Sequence, residues 1–396
     1  MLCPQSEAEL AACVADAYAA GEPLLVAGAG TKLGMLRPVQ AARSLSTSAL
    51  TGSTLYSPSE LVFSARSGTP LADVESMLAA QGQHLIAEPP DYAALLGTQA
   101  GTQTLGGIVA TNLSGPRRIA WGAVRDHVLG LRAVDGTGAI MRSGGRVLKN
   151  VTGLDMCKLL TGSHGTLGVM TEITLKVLPA PEATGSLLLP GLDPAQGVAA
   201  LSAALGSPYG VSGAAYQPPE SAAVLGWAGA VTLIRIEDFA TSVSYRLGRL
   251  AAELARFAAP EILDEPTSRQ AWRAIRDAGV LPAEPGHAVW RISVRPSRGP
   301  AILAAAQQSG ANGYLDWGGG LLMLAGPANE VVHRALTQAA RQAGGIWTLL
   351  RAPESLRAAI DVVPAEAPAL EKISRRVKSV MDPRGILNPG RVFAGV

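Results

Sequence analysis

The chain has 396 residues, of which 48% are hydrophobic and 16% charged, with a net charge of +2. That is enough for two or three domains around a sizeable core, and too apolar for a disordered chain. The balanced charge removes any bulk electrostatic case for nucleic acid. Three scattered cysteines (Cys3, Cys13, Cys157) without a C-x-x-C pair argue against a disulfide framework, a Cys-rich zinc site or an iron–sulfur cluster.

The opening MLCPQSEAEL lacks a basic stretch followed by an apolar run, and no uncharged apolar run has membrane-spanning length. A cytoplasmic protein is the expectation, with membrane contact at most peripheral. Ser6-x-x-Glu9 reads as a capping box. Leu10, Cys13, Val14, Ala17 and Tyr18 then share a helical face that Gly21 ends. Pro23–Ala27 is a buried strand candidate leading into a glycine turn, Gly28-Ala29-Gly30-Thr31-Lys32-Leu33-Gly34. A strand feeding such a turn also begins a dinucleotide fingerprint. Here the spacing is G-x-G-x-x-x-G, and no Asp or Glu occurs between Glu22 and Glu60 to hold a ribose. A nicotinamide-binding unit is therefore disfavoured.

Leu61–Arg66 reads as a strand. Thr69-Pro70 opens a helix with Pro at its first position, carrying Leu71, Val74, Glu75 and Leu78 and closed by Gly82. His84–Ala87 reads as another short strand. Gly97–Gly115, GTQAGTQTLGGIVATNLSG, is nearly uncharged and rich in Gly and Thr. Small residues there let backbone N–H groups approach an anion, and Gly106-Gly107 before Ile108-Val109-Ala110 suggests a loop entering a short helix. An ordinary flexible loop is the alternative for this stretch alone. Asp135-Gly136 between His127–Val134 and Ala139–Arg142 signals a hairpin. Met170–Val177 alternates, with Ile173, Leu175 and Val177 on one face, as a half-buried strand does.

Pro179-Ala180-Pro181 is a plausible boundary. Beyond it, strand signals (187–189, 214–217, 231–236, 288–294, 314–317, 321–324, 345–351) interleave with helix signals (195–205, 240–257, 330–342), as in an α+β domain. Arg291 and Arg295 share one face of a period-two strand, opposite Trp290 and Ile292. The tail carries an amphipathic helix (Leu370, Ile373, Val377, Met381) with Lys372, Arg375, Arg376 and Lys378, read as a solvated basic face.

Four segments in this order resemble the vanillyl-alcohol-oxidase (PCMH-type) family of FAD-binding proteins. They are Val26–Lys32, Thr104–Gly115, Leu148–Pro179 and the tail DPRGILNPGR (Asp382–Arg391). The resemblance implies an α+β fold with a two-subdomain FAD-binding domain over residues 1–180. It also implies a cap domain with an antiparallel sheet over 181–353, and a tail over 354–396 that returns to the FAD domain. The implied cofactor contacts are Gly28, Ala29, Gly30, Thr31 and Lys32 in the first loop. In the second they are Thr104, Leu105, Gly106, Gly107, Ala110, Thr111, Asn112 and Gly115, with Gly168 and Val169 in the third. No His lies in Gly28–Lys32 to carry a covalent bond, so FAD is expected to be non-covalent.

Within that family the cap segments VWRISVRP, GYLDWGGG and GGIWTLLRAP resemble those of the smaller FAD-binding subunits of bacterial glycolate oxidases. The resemblance implies a larger FAD-linked subunit and an iron–sulfur subunit as partners, and a 2-hydroxy acid such as glycolate as substrate. A metal site is not expected, because the His-containing motif of the catalytic relatives has no counterpart and His84, His127, His164, His287 and His333 are scattered. If this chain performs the chemistry, Arg291 and Arg351 are candidates for gripping a carboxylate and His287 for a base. If it is an accessory subunit, those residues are structural. A non-flavin carbohydrate- or nucleotide-binding module is the remaining class, and it needs both glycine loops to be coincidental.

Overall fold

The structure, a computed structural model, describes residues 1–145 and 154–395. The chain divides into two compact units: residues 1–114, 122–180 and 365–396 form the first, and 115–121 and 181–364 the second. Among the described residues no helix is long and apolar enough to cross a membrane.

The first unit is built on two hydrophobic cores. One lies under the helix Glu7–Ala20, whose Leu10, Val14 and Ala17 are fully buried. The Ser6 hydroxyl caps this helix by accepting from Glu9 N–H, while the Glu9 carboxylate accepts from Gln5 N–H rather than from Ser6. The expected box is thus present on one side only. Against the helix pack the parallel strands Leu24–Ala27 and Arg43–Ser46, together with Ile386 and Leu387 of the tail. The tail is tied in by backbone bonds from Leu24 N–H to Ile386 C=O and from Asn388 N–H to Leu24 C=O.

The second core lies on an antiparallel sheet. Its strands run Ser53–Ser57, Val62–Arg66, Val169–Lys176, Val128–Val134, Ile140–Gly144 in spatial order. Phe63, Leu131, Ile173 and Leu175 face the helices Leu71–Ala79 and Leu105–Thr111. The helix Leu71–Ala79 begins one residue later than its sequence suggests: Pro70 is the cap, in extended conformation, rather than the first helical residue. The strand expected over 84–87 shrinks to Gln83–His84. In the hairpin, Asp135 Oδ1 accepts from Thr137 N–H, Thr137 Oγ1 and Ala139 N–H, and Gly138, not Gly136, takes a positive φ of 91°. Gly136 matters for a different reason, since a Cβ there would lie 2.5 Å from the Asp382 carboxylate of the tail.

The tail helix Pro368–Met381 is mostly exposed, but Lys378 is not part of a solvated basic face. Its ammonium is buried and donates to Asp382 Oδ2, Thr166 C=O and Leu387 C=O at 2.7, 2.7 and 3.1 Å. A buried cation survives only with such a full set of acceptors. The helical spacing placed Lys378 correctly; the chain beyond the helix, turning back through Asp382, is what covers it.

The second unit centres on an eight-stranded antiparallel sheet. Its order is Glu261–Leu263, Ala183–Pro190, Val231–Asp238, Val211–Gln217, Asn312–Asp316, Leu321–Gly326, Ala288–Ser293, Ile346–Arg351. The helix Glu265–Arg276 was not anticipated. Asp264 caps it, Pro266 sits in its first turn, and Trp272 fills the sheet face, donating from Nε1 to Ser186 Oγ. Segment 115–121 belongs to this unit. There Gly115 C=O accepts from Trp317 Nε1, and Arg117 makes a two-pronged ion pair with the buried Glu237. Burial pushes the Glu237 carboxyl up, but Arg235 and Arg117 outweigh it and hold the group well below the usual carboxylate range.

Candidate functional site

A cleft opens in the first unit, with residues of both its cores in the walls. One wall is the end of strand Leu24–Ala27 and the turn Gly28–Leu33. The opposite wall is Ser67, Thr104, Gly107, Ala110 and Thr111, and the floor is His164, Gly165, Gly168, Val169 and Met170. Asn388 and Arg391 of the tail complete it.

The two glycine loops touch. A Cβ on Gly28 would fall 2.3 Å from Thr104 Oγ1, so a side chain there would have to displace the Thr104 hydroxyl. Beyond that contact the loops differ. In the first, the N–H groups of residues 29–32 have no acceptor among the described residues. Gly30 holds φ at 76°, which a glycine adopts without strain. Successive unpaired N–H groups in a tight turn form a concave anion site. In the second loop the N–H groups are spent within the protein: Leu105 donates to Thr69 C=O, Gly106 to Ser67 C=O and Gly107 to Thr104 Oγ1.

The roles of the two adjacent glycines therefore separate. Gly106 is small because Ser67 backbone lies against it, 2.8 Å from where a Cβ would sit. Gly107 faces the cleft, and a Cβ there would meet only Thr104 Oγ1, at 3.3 Å.

Lys32 brings the charge. It is half-buried, and its ammonium donates to Gln103 Oε1 at 3.0 Å and Thr31 Oγ1 at 3.3 Å. Burial brings its pKa down to about 8, with the Asp91 carboxylate working in the other direction. The His164 imidazole is kept neutral, its pKa pushed down to about 3 by burial and by the Arg391 charge. One buried side-chain polar atom in the walls also lacks a partner: Ser67 is 1% exposed, and its Oγ bonds to nothing among the described residues.

This donor set fits a diphosphate-bearing flavin nucleotide. Unpaired N–H groups and the Lys32 ammonium would receive the anion, the Ser67 hydroxyl would be available to a polar edge, and Val169, Met170 and Ala110 would supply an apolar surface for a ring. The bound flavin supplies hydride and electron transfer; the protein residues bind and orient it.

Twelve of the fifteen expected cofactor residues line this cleft. Three do not. Leu105 points into the core, the Asn112 amide oxygen accepts from Arg125 N–H, and Gly115 belongs to the second unit. In each, sequence proximity to a glycine pair did not specify which way the residue points or which unit it joins. Residues 148–153, the start of the segment Leu148–Pro179 that carries the family resemblance, lie outside the described residues. Ser67, His164, Asn388 and Arg391 were not singled out as contacts. Ser67 follows a strand and precedes a helix start, a position only the fold brings to the cleft.

The expected substrate residues are otherwise engaged in the second unit. Trp290 donates to His333 Nδ1, so it faces the helix Glu330–Gln342 and Arg291 points to the opposite side of the sheet. There the Arg291 guanidinium stacks on Trp317, 4.9 Å from the ring centre, and Arg118 lies 4.7 Å from the same ring. Arg295 falls past the end of strand Ala288–Ser293 and is exposed, so it does not continue that ladder. Arg351 and His287 do come together, but through backbone: Arg351 donates to the carbonyls of His287 and Glu284 at 3.0 and 2.9 Å. The His287 ring sits over its own turn, with Nδ1 accepting from Glu284 N–H and Nε2 3.5 Å from the Glu284 carboxylate.

Residues 1–144 match a family model described as FAD binding domain. The chain is 36% identical over 376 residues to glycolate oxidase subunit GlcE of Escherichia coli K12, covering 94% of this chain and 93% of that one. A shorter match, 40% over 100 residues, covers 25% of this chain and 20% of glycolate oxidase subunit GlcD of Bacillus subtilis 168. A crystal structure of p-cresol methylhydroxylase with substrate bound shares the fold, with a TM-score of 0.74 at 12% identity over 100% of this chain and 88% of that one. The chain binds FAD and belongs to the family of FAD-linked oxidoreductase subunits that includes GlcE.

Proposed function

We propose that this chain is the FAD-binding subunit of a multi-subunit enzyme that oxidises glycolate, or a close 2-hydroxy acid, to the 2-oxo acid. The observation that carries it is the near full-length likeness to a glycolate oxidase subunit, joined to a cleft whose free N–H groups and Lys32 suit the FAD diphosphate. Residues 1–180 with the tail 354–396 are the FAD-binding part in this reading, and 181–353 the cap. The partners are a larger FAD-linked subunit and an iron–sulfur subunit. The protein is cytoplasmic, and any membrane contact is made through the complex.

FAD is held non-covalently: residues 28–32 contain no His, and the neutral His164 ring is packed beside Arg391. Acid precipitation of the purified protein should release the yellow colour. Flavin that stays with the precipitate would mean a covalent link, with His164 the first residue to examine.

A second reading concerns where the chemistry happens. Arg291 is stacked on an indole and Arg351 is tied to carbonyls, which favours an accessory role for this chain and substrate oxidation on a partner subunit. The reconstituted complex decides it. Arg291→Lys and Arg351→Lys keep charge but lose the planar fork. Unchanged glycolate KM at equal flavin content supports the accessory role. A rise in KM of tenfold or more would make these arginines substrate ligands.

A further inference from the structure

We propose that Asn388 and Arg391 of the C-terminal tail are positioning residues for the FAD diphosphate: they hold the first glycine loop in the shape that leaves its N–H groups open to the cleft. The inference rests on the placement of FAD in this cleft.

The geometry is specific. Arg391 is 6% exposed, and its guanidinium donates to the carbonyls of Lys32, Leu33 and Arg37 at 2.7, 3.1 and 3.0 Å. Its own carbonyl accepts from Arg37 N–H. One planar, permanently charged group thus gathers three carbonyl oxygens of the loop and its exit. Carbonyl oxygens turned toward a diphosphate would repel it. Drawn onto Arg391, they leave the N–H groups of residues 29–32 as the polar groups without internal partners. Arg391 is also among the residues that line the cleft, so its charge acts on a bound anion without direct contact being required.

Asn388 acts at the entry to the same loop. It is 3% exposed and adopts a positive φ of 42°. Its amide accepts from Val26 N–H at 2.7 Å and donates to Val26 C=O and His164 C=O at 3.1 and 2.8 Å. It therefore ties the strand that launches the loop to the segment that forms the cleft floor. The tail that presents both residues is itself anchored elsewhere, by the Lys378–Asp382 pair and by Ile386 and Leu387 in the first core.

A competing account is that the tail only completes that core, in which case its residues matter for stability and not for the cofactor. The test uses apoprotein, with Kd for FAD and for ADP (the diphosphate without the flavin) measured beside the apo melting temperature. Arg391→Lys and Asn388→Asp are compared with Leu387→Ala, which removes tail packing without touching the loop. Asn388→Asp keeps the acceptor for Val26 N–H and loses both donated bonds. We expect Arg391→Lys to raise both Kd values at least tenfold and Asn388→Asp at least threefold. Leu387→Ala should lower the melting temperature as much or more while leaving both Kd values within twofold. Kd values that track melting temperature across all three variants would overturn the proposal. So would unchanged Kd in Arg391→Lys and Asn388→Asp. If Arg391→Lys fails to fold, Asn388→Asp against Leu387→Ala carries the same decision. Wild-type apoprotein that takes up no FAD would instead sink the cofactor assignment itself.

Discussion

The two glycine loops of the cleft have nearly the same composition and opposite internal bonding. The first, Gly28–Lys32, leaves its N–H groups unpaired and brings a lysine. The second, Thr104–Thr111, is a capped helix start whose N–H groups are already bonded, and it brings a smooth wall instead. The difference teaches that a glycine-rich stretch is not by itself an anion site. Glycine permits close approach, and what approaches is decided by the fold: the open cleft at Gly107, Ser67 backbone at Gly106, a threonine hydroxyl at Gly28.

The largest effects should come from the glycines that face protein. Gly28→Val and Gly106→Val force atoms to within 2.3 and 2.8 Å of neighbours, at Gly106 partly backbone that cannot step aside. Overpacking of this kind costs about 1–3 kcal/mol where side chains yield and more where they cannot. Both variants should lose soluble, folded protein, with or without FAD. Gly107→Val should keep the apo melting temperature within a few degrees and lose FAD affinity by more than tenfold, because its branched side chain enters the cleft. Equal behaviour of Gly106→Val and Gly107→Val in a thermal-shift and FAD-titration pair would erase the distinction between them.

Much of this contrast was legible in the sequence, though not the contrast itself. Periodicity located the helix Glu7–Ala20, the central strand ending at Lys176 and most strands of the second unit. Those elements obey local rules: a cap, an alternation, a glycine stop. The strand Leu24–Ala27 running into Gly28–Gly34 was also legible, while the role of the loop came only through the family resemblance, since a strand feeding a glycine turn equally begins a dinucleotide fingerprint. What stayed hidden depends on long-range approach. Gly106 and Gly107 are indistinguishable by type, and only packing against Ser67 separates them. Asn388 and Arg391 sit more than 200 residues from the carbonyls they gather, and Lys378 looked solvated until the chain beyond it turned back. The helix Glu265–Arg276 was within reach, because Asp264, Pro266 and the Ala271, Trp272, Ile275 stripe are ordinary start and face signals.

The next effect sharpens what the first loop adds beyond backbone. Lys32→Met keeps the length of the stem and removes the ammonium. The loss of a charge-assisted bond to phosphate is on the order of 1.5–3 kcal/mol, or roughly ten- to a hundredfold in Kd for FAD. The apo protein should be no less stable, because burial already disfavours the charged lysine there. A Kd within twofold of wild type would mean that the N–H groups alone hold the diphosphate.

The smallest effect is the dependence on pH, and its sign follows from the same lysine. Lys32 has its pKa lowered from the ordinary 10.5 to about 8 in the apo cleft, so between those values the unfolded chain binds more protons than the folded one. Apo stability from this group should therefore rise, not fall, as pH climbs from about 8 toward 10.5. FAD reverses the preference, since two phosphate charges favour the protonated ammonium and raise its pKa in the complex. Binding then takes up a proton when the apo lysine is neutral. The Kd for FAD should stay level below pH 8 and rise above it, with a slope approaching tenfold per pH unit and never exceeding one proton. Lys32→Met should abolish that slope while leaving its own weaker Kd level across the range. A wild-type Kd that is flat from pH 7 to 10, or a slope that persists in Lys32→Met, would move the titrating group elsewhere in the cleft and leave the first loop acting through its backbone alone.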